Sequence, residues 1–404
     1  MHSALSQTTG AALEGLKVLD LSRFIAGPHC TMQLADFGAD VVKIERRATG
    51  DDTRAVFPQI GGESFYFMTF NRNKRSMTLN FRDPRGQALL RELAADADVL
   101  VENFRPGTMD KMGCGWETLH ALNPRLVQAS ISGYGQTGAL AGEPCFDGIA
   151  QASSGLMSMT GQADGPPTVA GSFVVDYCSA LYATIGIMAA LERRHTTGKG
   201  QWVDVSLMGA ATSLLMTAIP EQLLLGKSMS RRGNKDRYSA PAEVYKTRDD
   251  HWIYLISGNN TLFPRLAAVM ERPDLLSHPK FESLEARMTH RADIEAIVAQ
   301  WVARHTADEV IALARRAELP VARVATIDEV TDDPYMRDAG HIVDVDHPTV
   351  GRFPTQGLPI RLSESPARIR SAAPTLGHDT ETILKDWLGK SSHEIAALRD
   401  DCVI

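Results

Sequence analysis

Asp176 has the setting in this 404-residue chain that most invites chemistry. It follows an apolar run, Phe173-Val174-Val175, and precedes a stretch of helical periodicity that runs to Arg194. Two readings of this carboxylate stand side by side. As a helix N-cap it would satisfy free backbone amides, worth on the order of 1 kcal/mol. As a nucleophile it would sit ionised at a helix N-terminus in a partly apolar setting and attack a thioester. A mixed anhydride made that way survives only where water is excluded.

A second constellation lies at the end of an apolar run, where Glu45 is followed by Arg46 and Arg47. Arginines at the edge of a nucleotide-binding sheet suit a phosphorylated ribose, as in NADP or the 3′-phosphate of coenzyme A. A solvated strand end explains them equally well. Arg72, Lys74 and Arg75 form another basic group open to the same two readings. No GxxxxGK[ST], HExxH or GxSxG sequence occurs, no GxGxxG follows the first strand, and Gly198-Lys199-Gly200 reads as a helix–strand turn. The five cysteines contain no CxxC pair and no metal-ligand spacing, so no metal site is expected.

Composition narrows the class. With 42 Lys+Arg against 49 Asp+Glu the net charge is −7, which argues against a general nucleic-acid binder. Unpaired cysteines fit a reducing, cytoplasmic setting. The first sixteen residues hold no Lys or Arg and no long apolar stretch, so no leader is expected. The apolar segment Leu214–Leu225 is broken by Pro220 and Glu221, so no segment is expected to reach the roughly 18–20 residues of a membrane span.

The elements that must position these residues are legible as alternation. Val18–Leu21, Val41–Ile44, Met77–Phe81, Val99–Val101, Leu126–Ile131 and Trp202–Val205 read as strands. Helices are expected at Pro28–Phe37, after the Asp83-Pro84 cap, and over 176–194. In the last of these Ser179, Ala183, Gly186 and Ala190 form a small-residue stripe beside an apolar one at Leu181, Ile185 and Met188. Strands alternating with helices imply a parallel α/β sheet covered on both faces. The polar, basic segment Gly226–Pro241 and the proline-rich Pro348–Pro374 read as linkers. Between them Trp252–Ile256 reads as a strand, with helices nearby and a capping box at Thr306–Glu309. The expected division is a large domain at 1–210, a linker at 211–240, a small α+β domain at 241–330, and a return to the large domain over 331–404.

Ordered motifs from about residue 13 to 384 resemble the class III CoA-transferases (formyl-CoA transferase, carnitine CoA-transferase and relatives). They include Ala26-Gly27-Pro28, Gly38-Ala39-Asp40-Val41-Val42-Lys43-Ile44-Glu45, Asn71-Arg72-Asn73-Lys74-Arg75-Ser76 and Val101-Glu102-Asn103-Phe104-Arg105-Pro106-Gly107. Ser132-Gly133-Tyr134-Gly135-Gln136-Thr137-Gly138 and Asp147-Gly148-Ile149-Ala150-Gln151 continue the series.

The resemblance implies a Rossmann-like large domain, a small domain and an interlocked homodimer. It implies that Asp176 is the nucleophile, forming an aspartyl anhydride and then an enzyme–CoA thioester. Coenzyme A then enters as part of an acyl-CoA substrate, not as a resident cofactor. Positions that carry over for CoA are Phe24, Ile25 and Ala26, Arg46 at the phosphorylated ribose, Leu79, Asn103 and Phe104 along the nucleotide channel, Lys111 in place of an arginine, and Asp147 near the nucleophile. Ile25 stands where formyl-CoA transferases have glutamine, and Ser257-Gly258-Asn259-Asn260 replaces a long glycine-rich loop; both speak against formyl-CoA and oxalate. Members using succinyl-CoA and small dicarboxylates look most similar. The α-methylacyl-CoA racemases of the same fold place a histidine where this chain has Phe146, so the racemase reading, like that of a non-catalytic CoA binder, is the alternative. Leu376-Gly377-His378-Asp379 departs from the family pattern without an evident meaning.

Overall fold

In the computed structural model, which describes residues 10–404, the chain divides into two units. Residues 1–9, on which part of the leader expectation falls, lie outside the described residues. The larger unit takes the chain up to Met157, then Val169–Ser228 and Pro334–Ile404. The smaller takes Ser158–Thr168 and Met229–Asp333. The boundaries therefore differ from the expected ones.

The larger unit is built on β1 (Lys17–Asp20), β2 (Asp40–Glu45), β3 (Lys74–Thr78), β4 (Val99–Glu102), β5 (Val127–Ser132) and β6 (Trp202–Ser206). All pair in parallel, in the order β3-β2-β1-β4-β5-β6. In the central strand Val18 faces Val41 on one side and Val99 on the other. The strand order reverses between β1 and β4, and in an open parallel sheet the crevice beyond the carboxyl ends at that point is where ligands bind.

The helices that matter here are α1 (Ala26–Asp36), α2 (Phe65–Phe70), α3 (Pro84–Ala95), α4 (Asp147–Ser153), α5 (Val174–Thr197), α6 (Leu207–Ser213), α7 (Ala218–Leu225) and α8 (Thr380–Leu388). Successive strand residues point to opposite faces, and the two faces carry separate cores. Val18, Val41, Val99 and Val127 pack with Leu34 of α1 and Ala183 and Ile187 of α5. Leu19, Val42, Met77 and Leu100 pack with Leu90 and Leu93 of α3 and Ile383 and Leu384 of α8. The second layer thus needs the C-terminal segment returning to the sheet.

Local chemistry explains the boundaries. Asp83 Oδ1 accepts from the Arg85 amide at 2.9 Å with Pro84 in the first turn, which opens α3. Gly198 adopts φ 71° to close α5, and a Cβ on Gly200 would sit 1.9 Å from the Leu126 carbonyl oxygen. Gly198-Lys199-Gly200 is therefore the expected turn. β3 begins at Lys74, three residues before the expected start, because its two charged residues are neutralised by partners on neighbouring segments. Lys74 Nζ meets Asp20 at 2.9 Å, and Arg75 pairs with Asp40. Arg72 pairs with buried Asp36 at 2.8 Å, so this basic group serves structure and is not a solvated strand end.

Three further expectations need correction. α5 has 24 residues and is long and apolar enough by composition to cross a membrane, because Leu, Ile, Met and Ala fill it between Asp176 and Glu192. Residues 211–225, expected as linker, are largely helical in α6 and α7. Within Pro348–Pro374 the stretch Gly351–Gln356 pairs antiparallel with Ile342–His347. The unexplained 376–379 motif docks the C-terminal segment: the Gly377 amide donates to Ser76 Oγ at 2.8 Å, and Asp379 Oδ2 accepts from the Ser76 amide at 2.9 Å.

The smaller unit holds an antiparallel sheet of β7 (Ala242–Lys246), β8 (Trp252–Ile256) and β9 (Val321–Arg323), with β8 central. Ile253, Leu255, Phe263, Ile294 and Val298 form its core. The Thr306–Glu309 capping box is present as expected. The loop 257–260 is anchored: buried Arg287 donates to the Gly258 carbonyl at 2.9 Å and to Asn260 Oδ1 at 2.8 Å.

Candidate active site

The crevice predicted by the strand order is present, with a cavity volume of about 160 Å³. Its walls are the loop after β1 (Arg23 to Ala26), the loop after β4 (Asn103 to Pro106), Cys145 and Phe146 before α4, and Asp176. Each wall comes from the carboxyl end of a strand or the amino end of a helix, where backbone polar groups are open for binding.

Asp176 is not a cap. It is the third residue of α5, and Phe173 at the N-cap position makes no side-chain bond. The capping is done from another element by Asp147. Its Oδ2 accepts from the amides of Val175 at 2.8 Å and Asp176 at 3.1 Å. Asp147 is itself buried and held by Gln151, whose Oε1 accepts from the Ala170 amide at 3.0 Å. The Asp176 carboxylate is thereby released to the crevice, and among the described residues no side-chain hydrogen bond is recorded to it. Burial, then the negative charge of Asp147, push its carboxyl up to about 7. A half-buried carboxylate without donors is costly to keep ionised, and that cost disappears when it is acylated.

The β1 loop is held to the crevice by a buried ionic network beneath it. Asp20 accepts from the Ser22 amide at 2.9 Å, Thr31 Oγ1 at 2.7 Å and Lys74 Nζ at 2.9 Å. Lys43 Nζ lies 2.9 Å from Asp51 and donates to the Ser22 carbonyl at 2.8 Å. Burial brings Lys74 down to about 8, although the Asp20 charge opposes the shift. Gly27 permits the close approach this needs: a Cβ there would lie 2.1 Å from Ser22 Cβ. Phe24 takes φ 65°, a left-handed conformation costly for a non-glycine residue, and its ring meets Phe146 edge-on at 5.6 Å.

The residues expected from sequence separate into groups. Phe24, Ile25, Ala26, Asn103 and Phe104 line the crevice with Asp176, although Ala26 already belongs to α1 and Ile25 is its N-cap. Asn103 does more than line it. Its Oδ1 accepts from the Arg23 amide at 2.8 Å and its Nδ2 donates to the Arg23 carbonyl at 2.6 Å, which clamps the β1 loop to the β4 loop. Arg46 stands in an adjoining depression with Gly50, Phe81 and Met112. Arg47 is spent on the carbonyls of Cys402 and Ile404. Leu79 is fully buried in the α3-side core, and exposed Lys111 lines neither depression. Asp147 faces the α5 amides and not the crevice. Arg23 was missed; a lone arginine beside a Phe-Ile-Ala loop carries no spacing signal.

The model of CoA-transferase family III matches residues 13–380. The chain belongs to CoA-transferase family III. It is an enzyme of that class. The succinyl-CoA–D-citramalate CoA-transferase of Chloroflexus aurantiacus is 36% identical over 400 residues, covering 99% of this chain and 100% of that protein. A formyl-CoA:oxalate CoA-transferase of Rhodopseudomonas palustris is 35% identical, with 96% of each chain covered. A CAIB/BAIF family protein from Brucella suis superposes with a TM-score of 0.83 at 33% identity, over 94% of this chain and 100% of that one. In this family III enzyme the crevice presents the Asp176 carboxylate.

Proposed function

We propose that this enzyme moves coenzyme A from an acyl-CoA, succinyl-CoA foremost, to a small carboxylic acid through acylation of Asp176. The observation that carries the reading is the Asp176 carboxylate, uncapped and facing the crevice because Asp147 has taken over the helix amides. An Asp176 oxygen attacks the thioester carbon; a C–O bond forms, the C–S bond breaks and CoA thiolate leaves. The thiolate attacks the Asp176 acyl carbon of the anhydride, releasing the donor acid and leaving an Asp176–CoA thioester. The acceptor carboxylate attacks that thioester and expels thiolate. The thiolate then attacks the acceptor's carbonyl, which yields the new acyl-CoA and restores the Asp176 carboxylate. One thioester replaces another and no proton is gained or lost. Coenzyme A is thus substrate and not a resident cofactor.

Succinyl-CoA is favoured because Ile25 and the short anchored loop 257–260 differ from the formyl-CoA pattern, and because the Chloroflexus relative is named for that donor. Phe146 supports transfer over racemisation: its ring lines the crevice and has no proton to exchange with a substrate α-carbon. Incubation with succinyl-CoA followed by hydroxylamine, with peptide mass spectrometry, is expected to find the adduct on Asp176. An adduct elsewhere, or α-deuterium exchange without any acceptor acid, would overturn the reading.

A homodimer fits the surface. Ile185 of α5 is 63% exposed beside Leu181 and Met188, and Leu224 of α7 is 80% exposed beside Leu223 and Leu225. Exposed apolar side chains grouped on a helix face suit an interface. Light scattering is expected to give twice the 44.0 kDa chain mass; a monomer at micromolar concentration would remove this part of the reading.

A further inference from the structure

We propose that Arg23 binds the diphosphate of coenzyme A, a role that rests on CoA being the substrate. The Asp176 crevice and the Arg46 depression are separate hollows, and Arg23 and Phe104 line both. Coenzyme A is a linear molecule whose order is thiol, pantetheine, diphosphate, then the 3′-phosphorylated ribose. With the thioester carbon at Asp176 and the phosphorylated ribose at Arg46, the diphosphate falls at the junction between the hollows. Phe104 offers that junction an apolar face; the Arg23 guanidinium supplies its charge.

The guanidinium is preorganised for an anion. It lies over the rings of Phe104 at 5.5 Å and Phe24 at 5.9 Å. Its Nη1 donates to Asp52 Oδ2 at 2.8 Å, while Arg46 Nη2 donates to the other oxygen of the same carboxylate at 2.6 Å. One anion between two cations leaves the junction with a net positive charge. Arg23 Nε is buried and has no hydrogen-bond partner, which is costly unless a ligand supplies an acceptor. The peptide of Arg23 is fixed on both sides by Asn103, so the side chain starts from a rigid point. A planar fork of donors at a fixed position is the arrangement that matches phosphate oxygens.

Arg23→Met keeps the stem and removes the charge. Calorimetry is expected to show about 10–100-fold weaker binding of CoA and of 3′-dephospho-CoA alike. With acyl-pantetheine, which has no diphosphate, Arg23→Met is expected to lower kcat/KM by a markedly smaller factor than it does with acyl-CoA. Arg46→Met provides the contrast, losing affinity for CoA but not for dephospho-CoA. If Arg23→Met fails to fold, Arg23→Lys is read in the same series, with a loss of a few-fold confined to the two diphosphate ligands. Undiminished CoA affinity, or an equal loss with acyl-pantetheine, would overturn the assignment. CoA binding with the expected pattern but no CoA exchange would instead overturn the proposed function and leave this assignment standing.

Discussion

Asp176→Asn is expected to lower CoA exchange by at least about 10⁴-fold, since the amide can neither form the anhydride nor carry CoA. Affinity for CoA should stay within a few-fold, because the nucleotide end is held elsewhere; calorimetry beside a labelled-donor assay checks both. In the wild type the carboxyl is pushed up to about 7 by burial and by Asp147, and the reactive form is the carboxylate. The acylation rate is therefore expected to rise with pH through about 7 and level off above it. Stability should move the other way. A carboxyl raised from 3.8 in the unfolded chain contributes stability below that value and loses it as pH rises through the folded one. Asp176→Asn removes the loss, so it should be more stable than wild type by roughly 2–4 kcal/mol at pH 8, with the gain shrinking toward pH 4. A gain over wild type no larger at pH 8 than at pH 4 would show that Asp176 is not desolvated.

Asp20→Ala is expected to give the largest loss of stability, on the order of 3–5 kcal/mol, because it strands Lys74 in the core and leaves Lys43 with Asp51 alone. Both lysines are fully buried, and Lys74 has Asp20 as its anionic partner at 2.9 Å. The same substitution frees Ser22, whose amide Asp20 holds, so the KM for acyl-CoA should rise along with the loss of denaturation midpoint. Urea unfolding measures the first and initial-rate kinetics the second. A midpoint unchanged within error would mean that the network does not hold the β1 loop. The Asp20→Asn variant keeps the shape and should recover part of the loss.

How much could be seen beforehand depends on the range of the interaction concerned. The six strands of the sheet were readable from short apolar runs between helix and turn signals, and the turn at Gly198–Gly200 because only glycine fits there. The start of β3 was misplaced because Lys74 and Arg75 look like surface residues until Asp20 and Asp40 are brought beside them. Arg72, Lys74 and Arg75 resembled an anion site for the same reason.

The proposed nucleophile divides along this line. Residue types and order alone determined that an aspartate would stand at the start of a long small-residue helix, with arginine at the end of the second strand and no metal motif nearby. Whether that aspartate would cap its own helix was a matter of tertiary structure. Asp147, 29 residues earlier, reaches the free amides first, and a backbone donor satisfied by one carboxylate no longer needs another. The placement of Arg23 between two hollows was likewise decided by the fold, since loops after β1 and β4 become neighbours only when the sheet forms. Local sequence encodes turns, caps and periodicity; the electrostatics of a site depend on groups that the chain brings together from far apart.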